Sequence, residues 1–295
     1  MDQNHKAGFV NIIGRPNAGK STLMNQMVGE RLSIITSKAQ TTRHRIMGII
    51  NGEGYQIVYS DTPGIIEPRY ELHHSMMKFV DDSLEDADIV LLVIDGSRPG
   101  ESDEKISIIL KRLKVPVVLV LNKVDLLGQE TVVTVMNELK ELYPEVREIV
   151  PVSALHNFNS QRVFELIQEL LPQSPPFFPK GELTDKPERF FASEIIREKI
   201  FMHYKQEIPY SCEVVVTRFK KSEKLIKIAA EIIVEKQSQK GILIGKGGSM
   251  LKRVGIDARK DMETFFDKQV FLEQFVKIMP EWRRNRHKLT RFGYM

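Results

Sequence analysis

The sequence predicts two domains: an α/β domain built on a mixed, mostly parallel sheet, and after it a smaller α+β domain. Three observations predict this. From Phe9 to about Leu171, short β-branched runs alternate with helical patterns, which is how a sheet covered by helices reads. Four prolines then fall within the eight residues Pro172 to Pro179, a density that supports neither a helix nor an interior strand. Beyond them the order becomes helix, strand, strand, helix, helix, strand. The 295 residues also exceed the roughly 100 to 200 of one domain. The expected limits are 1–174 for the first domain, 175–187 for a linker and 188–295 for the second domain with a basic C-terminal tail.

In the first domain the strand candidates are Phe9–Ile13, Ile46–Asn51, Tyr55–Ser60, Ile89–Asp95, Val117–Leu121 and Ile149–Val152. Gly52-Glu53-Gly54 separates the second from the third, so these two are expected to form a hairpin, which makes the sheet mixed. In the second domain helices are expected at Glu188–Gln206 and Met250–Phe266, and strands at Ser211–Phe219, Leu225–Val234 and Val270–Ile278. No internal repeat is visible.

With 42% hydrophobic and 28% charged residues the composition is that of a globular protein, not of a disordered chain. The start, MDQNHKAGFVNIIG, lacks a basic stretch followed by a long apolar run, and no later apolar run approaches the ~20 residues of a membrane span, so a cytoplasmic protein is expected. The single cysteine, Cys212, excludes an internal disulfide and lies in an apolar run, which reads as packing. Net charge is only +4, but residues 188–295 hold 23 Lys and Arg against 14 Asp and Glu. That portion carries +9 and the remainder −5, which predicts a basic module for a polyanion joined to a domain with a different task.

Gly14-Arg15-Pro16-Asn17-Ala18-Gly19-Lys20-Ser21 matches the phosphate-binding loop pattern, and it stands between an apolar strand and a helix that continues through Thr22. Gly14 and Gly19 permit backbone shapes that aim N–H groups at phosphates, at the positive end of the helix. Lys20 would reach the β- and γ-phosphates, and the Ser21 hydroxyl would ligate Mg²⁺. The loop alone does not choose between ATP and GTP. Asn122-Lys123-Val124-Asp125 does: it resembles the Asn-Lys-x-Asp motif of guanine-selective GTPases, in which a carboxylate, here Asp125, accepts from guanine N1–H and the exocyclic amine. Adenine lacks that pair of donors and would leave the carboxylate unpaired. Ser153-Ala154-Leu155 resembles the last guanine-contacting loop of the same GTPases, with the Ala154 N–H facing guanine O6.

Asp61-Thr62-Pro63-Gly64 is good turn chemistry, but its place in the series resembles the γ-phosphate sensor. There Asp61 would hold Mg²⁺ through water and the Gly64 N–H would meet the γ-phosphate. Gln40-Thr41-Thr42-Arg43 offers two threonines for the second Mg²⁺ ligand; the resemblance favours Thr42, with Thr41 as the alternative. Ile65 follows the sensor where small signalling GTPases place a water-orienting glutamine. It can neither donate nor accept a hydrogen bond, so unassisted hydrolysis is expected to be slow. Asn17 matches a position that related GTPases use to hold K⁺ beside the phosphates; the alternative is that it merely shapes the loop. The adjacent His73 and His74 point in different directions on a helix and read as packing or surface residues.

Ile244-Gly245-Lys246-Gly247-Gly248, leading into a helix, resembles the G-x-x-G loop of KH domains, whose small residues let the backbone clamp single-stranded nucleic acid. Lys246, Lys252 and Arg253 would meet phosphates. The element order resembles the type II KH topology. The tail from Glu281 to Arg291 is basic with interspersed aromatics, which suits base stacking or a solvated helix.

A phosphate-loop GTPase domain followed by a type II KH domain resembles, over nearly the whole chain, the Era family of the TrmE-Era GTPases. That resemblance implies a slow GTP-hydrolysing switch, bound to GTP or GDP and Mg²⁺, on single-stranded RNA at the 3′ end of 16S ribosomal RNA. It further implies a monomer that assists assembly of the 30S subunit and touches the inner membrane peripherally. The alternative is a GTPase whose basic domain docks mainly on membrane or protein.

Overall fold

A computed structural model describes residues 4–98 and 104–294, which fall into two compact units. The first comprises the chain up to Ser33, Thr42–Glu67 and Met76–Asp185; the second comprises Ile34–Thr41, Pro68–Ser75 and everything from Lys186 onward.

The first unit runs β1 (Lys6–Ile13), α1 (Lys20–Val28), β2 (Ile46–Gly52), β3 (Tyr55–Asp61), α2 (Glu71–Glu85, its first turn in the second unit), β4 (Ile89–Asp95), α3 (Glu104–Arg112), β5 (Val117–Asn122), α4 (Gln129–Leu142), β6 (Glu148–Pro151) and α5 (Ser160–Leu170). The strands form one sheet in the order β2-β3-β1-β4-β5-β6, parallel throughout except for the β2–β3 pair. That pair is the expected hairpin, turned by Glu53-Gly54 with Gly54 at φ 75°. Strands β4 and β5 read as continuous apolar runs because both of their faces are covered: Ile89 to Val93 and Val117 to Leu121 are buried. β1 lies between β3 and β4, so strand order reverses there, and in open α/β sheets ligands bind beyond the strands' C-terminal ends at such a point.

The chain from 175 to 187, expected as a linker, is largely bonded to this unit. Gln56 accepts from the Phe177 and Phe178 N–H groups, Ile49 N–H donates to Leu183, and Asp185 accepts from Met47 N–H. Gly48 bridges to Thr184. Leu183 to Asp185 thus cover the free edge of β2, which is why folding with the first unit extends to Asp185.

The second unit runs α6 (Glu188–His203), α7 (Ile208–Ser211), β7 (Glu213–Lys221), β8 (Leu225–Val234), α8 (Gln237–Ile244), α9 (Ser249–Phe266), β9 (Gln269–Ile278) and α10 (Arg286–Arg291). The sheet order is β7-β8-β9, antiparallel then parallel. One side of this sheet packs on α6, α8 and α9 around Ile196, Ile200, Ile228, Ile232, Leu243 and Val254, with Cys212 inside the same core. The tail from Glu281 keeps Arg284, Asn285, Arg286 and His287 exposed and ends in the short helix α10, but its aromatic residues do not face outward for stacking. Trp282 is fully buried and donates to the Ser211 carbonyl at 3.1 Å, and Tyr294 is buried with its hydroxyl on Glu213 at 2.5 Å. These aromatics are core, because an indole or phenol can enter an apolar interior once its polar atom has a partner.

Candidate functional site

The loop after β1 is shaped by backbone conformations that side chains resist. Gly14 has φ 148° and Gly19 φ 96°, and a Cβ on them would stand 2.3 Å from the Val93 carbonyl and 2.1 Å from Asn122 Nδ2. Between them Asn17 takes φ 64°, a left-handed shape that asparagine tolerates. Lys20 opens α1, and its buried ammonium folds back onto the Arg15 carbonyl at 2.9 Å and the Gly14 carbonyl at 3.2 Å. Burial lowers the Lys20 pKa to about 8 against the opposing attraction of Asp61.

Three oxygens converge beside it. Ser21 Oγ donates to Asp61 Oδ2 at 2.7 Å and lies 2.9 Å from Thr42 Oγ1, and Thr42 Oγ1 is 3.3 Å from the same carboxylate oxygen. Asp61 ends β3 fully buried, and burial raises its pKa although the Ser21 hydroxyl and Lys20 oppose the rise. Its other oxygen, Oδ1, is buried near the Ser33 hydroxyl, which also opposes the rise, and neither atom has a partner within full hydrogen-bonding distance. Hard oxygen donors around an uncompensated buried carboxylate fit Mg²⁺ or its water shell. Thr41 does not join them. Its hydroxyl is spent on Thr36 Oγ1 at 2.6 Å and the Lys38 carbonyl at 2.7 Å.

The sensor segment closes on the loop. Thr62 Oγ1 donates to the Ile12 carbonyl at 2.9 Å, the N–H of the buried Ile65 donates to the Gly14 carbonyl at 3.0 Å, and a Cβ on Gly64 would meet the Pro16 nitrogen at 2.6 Å. Only glycine lets these two backbones approach so closely.

At the end of β5, Asn122 is buried and uses both ends of its amide: Nδ2 donates to the Ala18 carbonyl at 2.9 Å, and Oδ1 accepts the Ala154 N–H at 3.0 Å. It therefore ties the phosphate loop to the Ser153-Ala154-Leu155 loop. The Ala154 N–H expected to face guanine is engaged by Asn122 instead, while Leu155 is exposed and Ser153 is buried. Asp125 stands at the surface, with the His156 ring 3.8 Å from its carboxylate. An adenine would leave it unpaired only after the base had covered it. Lys123 takes φ 63° and extends to Asp95 at 2.6 Å, and Asp95 is itself held by the Ser97 hydroxyl and N–H. Asp95 and Ser97 escaped the sequence reading, since a turn-like Asp-Gly-Ser at a strand end carries no signal of a lysine partner 28 residues later.

In the second unit Gly245 has φ 72° and ψ 176°, a region open essentially to glycine alone, and Gly247 and Gly248 have φ 59° and 79°. Lys246, Lys252 and Arg253 are exposed, as are the apolar Ile242 and Ile256 on either side of the loop, while Ile244 is half-buried. Ile256 stands one helical turn after Lys252 on α9, a spacing that could have marked it. Of the two histidines, His73 is buried and 3.3 Å from Gln40, while His74 is exposed. No cluster of His, Cys, Asp and Glu that could hold a metal occurs among the described residues. No helix among them is long and apolar enough to cross a membrane.

A phosphate loop at a sheet's switch point, an acidic residue and two hydroxyls beside it, and a base-selecting loop after β5 define a nucleotide-binding protein of the GTPase class, here followed by a KH-type RNA-binding fold. Comparison with known proteins agrees: a family model described as "50S ribosome-binding GTPase" matches residues 9–123, and one described as "KH domain" matches residues 207–283. The GTPase Era of Geotalea daltonii is 45% identical over 295 residues and that of Alkaliphilus metalliredigens 42% over 297, each alignment covering 99% of both chains. Among solved structures, Era in complex with MgGDPNP and nucleotides 1506–1542 of 16S ribosomal RNA superposes with a TM-score of 0.94 at 40% identity, covering 98% of this chain and 99% of that one. A point variant of Aquifex aeolicus Era bound to GDP·AlF4⁻ gives 0.93 at 39%, covering 98% and 99%. The chain belongs to the Era GTPase family.

Proposed function

We propose that this GTPase is a molecular switch that binds the 3′ end of 16S ribosomal RNA through its second unit and assists assembly of the 30S subunit. The 16S fragment held by the structural relative supports the RNA end, since that relative covers 98% of this chain, including the KH fold at residues 207–283 that binds single strands. One observation carries the nucleotide chemistry: Ser21, Thr42 and Asp61 turn their oxygens to a common point beside Lys20, while the second Asp61 oxygen is buried without a hydrogen bond.

Ser21 and Thr42 would hold Mg²⁺ directly and Asp61 through water, and the ion would neutralise charge on the transferring phosphoryl group. The remaining work falls to the chain. The backbone from Arg15 to Thr22, every residue of which except Pro16 offers an N–H, cradles the phosphates at the start of α1, Lys20 leaves its carbonyl partners for the β- and γ-oxygens, and the Gly64 N–H meets the γ-phosphate. Asp125 and Lys123 flank the guanine base, and Asn122 fixes both loops that border it. Ile65 offers no hydrogen bond to the attacking water, so turnover without assistance is slow. Asn17 would hold K⁺ beside the phosphates, which predicts faster hydrolysis in K⁺ than in Na⁺ at equal ionic strength.

The RNA contacts are the backbone from Ile244 to Gly248 with Lys246, Lys252 and Arg253. The test is filter binding of the 3′-terminal 16S sequence to the full chain with a GTP analogue and with GDP, both with Mg²⁺. A clear difference in affinity is expected. Equal affinities would remove the switch, and no binding in either state would leave a GTPase with another partner.

A further inference from the structure

Tyr204, directly after α6, is 4% exposed, and its hydroxyl donates to the Leu243 carbonyl at 2.6 Å within the interior of the second unit. Leu243 is the next-to-last residue of α8, two residues before Gly245. Carbonyls in the last turn of a helix have no N–H of their own helix to accept from, so a buried one needs a donor from elsewhere. Tyr204 supplies it across 39 residues of sequence.

The donor is anchored. The Tyr204 N–H bonds Ile200 at 3.0 Å, its carbonyl accepts from the Lys38 ammonium, and its ring packs in the apolar core with Ile200, Cys212 and Leu243. Burial pushes the phenol up to about 12, with Cys212 adding to the rise, so it remains a neutral donor at working pH. What it holds cannot absorb a shift: at Gly245 a Cβ would stand 2.7 Å from Met250 Cγ, which leaves the start of the loop little slack. Phenylalanine would fill the same space, so the hydroxyl contributes this one bond and no packing.

We propose that Tyr204 is a positioning residue for RNA binding: by tying off the end of α8 it sets where the backbone of Gly245-Lys246-Gly247-Gly248 begins, and with it the geometry that loop presents to a single strand. The proposal rests on reading that loop as the RNA clamp, and the experiment separates the two. Fluorescence anisotropy of a fluorescein-labelled single-stranded RNA of the 16S 3′-end sequence is measured on the full chain, on Tyr204→Phe, and on Lys246→Asp combined with Gly247→Asp. Hydrogen exchange is followed in the same proteins.

The paired loop variant is expected to lose binding. Tyr204→Phe is expected to weaken binding on the order of fivefold, mainly through faster dissociation, because the buried Leu243 carbonyl is left without its donor. Amides 245–248 should exchange faster while those of β8 and the GTP turnover stay as in the parent. Parent-like RNA affinity for Tyr204→Phe beside a dead loop variant would overturn the proposal, as would faster exchange spread equally through β8, which marks a general loss of stability. A loop variant that binds RNA like the parent would remove the clamp reading itself.

Discussion

Lys20 ties ionisation to ligand binding. Its ammonium is buried against two carbonyls and titrates at about 8 instead of 10.5. A polyphosphate favours the charged form, so nucleotide binding should restore the lost proton: about half a proton taken up per GTP at pH 8 and almost none at pH 6.5. Calorimetry in buffers of differing ionisation enthalpy measures this, and affinity should decline as pH rises past 8. The contribution to folding runs the other way. Between pH 8 and 10.5 the folded chain holds fewer protons than the unfolded one, so stability gains with pH in that window. Asp125 governs the base. Asp125→Asn keeps one acceptor but turns an amide donor against a guanine donor, so GTP affinity should fall by about 100-fold or more, with xanthine nucleotides gaining; titration calorimetry decides. These residues were legible because each stands in a contiguous motif at a strand end. Asp95 and Tyr204 were not, because what each does depends on a partner that only the fold brings near.

Among the elements, α6 departs most from what its sequence suggests. The string ERFFASEIIREKIFMH scatters charges around the helix, as on a solvated surface, yet Glu194, Arg197, Glu198 and Lys199 are buried. The charges pair inside: Arg197 binds Glu194 at 2.5 and 2.8 Å and the Thr41 carbonyl at 2.5 Å, Lys199 binds Asp261 at 2.5 Å, and Glu198 accepts from the Ile35 N–H at 3.3 Å. These bonds draw Ile34–Thr41 into the second unit, an assignment no periodicity announces. Breaking one partner strands the other, so Arg197→Met should cost about 3 to 5 kcal/mol in a urea melt, and adding Glu194→Met should recover much of it. The tail teaches the same lesson from the apolar side. Basic residues around Trp282 read as an arm for nucleic acid, but the indole fills the core, and Trp282→Ala should cost about 3 to 5 kcal/mol by the same melt. Most strand limits, by contrast, followed from β-branched runs and Gly turns to within a residue, because short-range patterning suffices to fix them, although β1 begins three residues before Phe9 and β7 lies two residues further along than expected.

Across the whole molecule, charge divides more sharply than fold: the last 108 residues carry +9 on a chain whose total is +4. Such a surplus can act on RNA in two ways that salt separates. A general cationic field attracts any polyanion and releases many counterions, whereas a glycine clamp grips backbone at close range through few charges. Each phosphate neutralised on a single strand contributes about −0.7 to the slope of log K against log salt. Lys246, Lys252 and Arg253 are the exposed cations at the loop, so replacing all three with glutamine should flatten the slope by about 2 while leaving the remainder of the salt dependence in place. The loop pair Lys246→Asp with Gly247→Asp should instead weaken binding at every salt concentration, because it also removes the close backbone approach. If the triple replacement left the slope unchanged, the counterions would be released elsewhere on the basic unit, and the loop would have to hold RNA by shape alone.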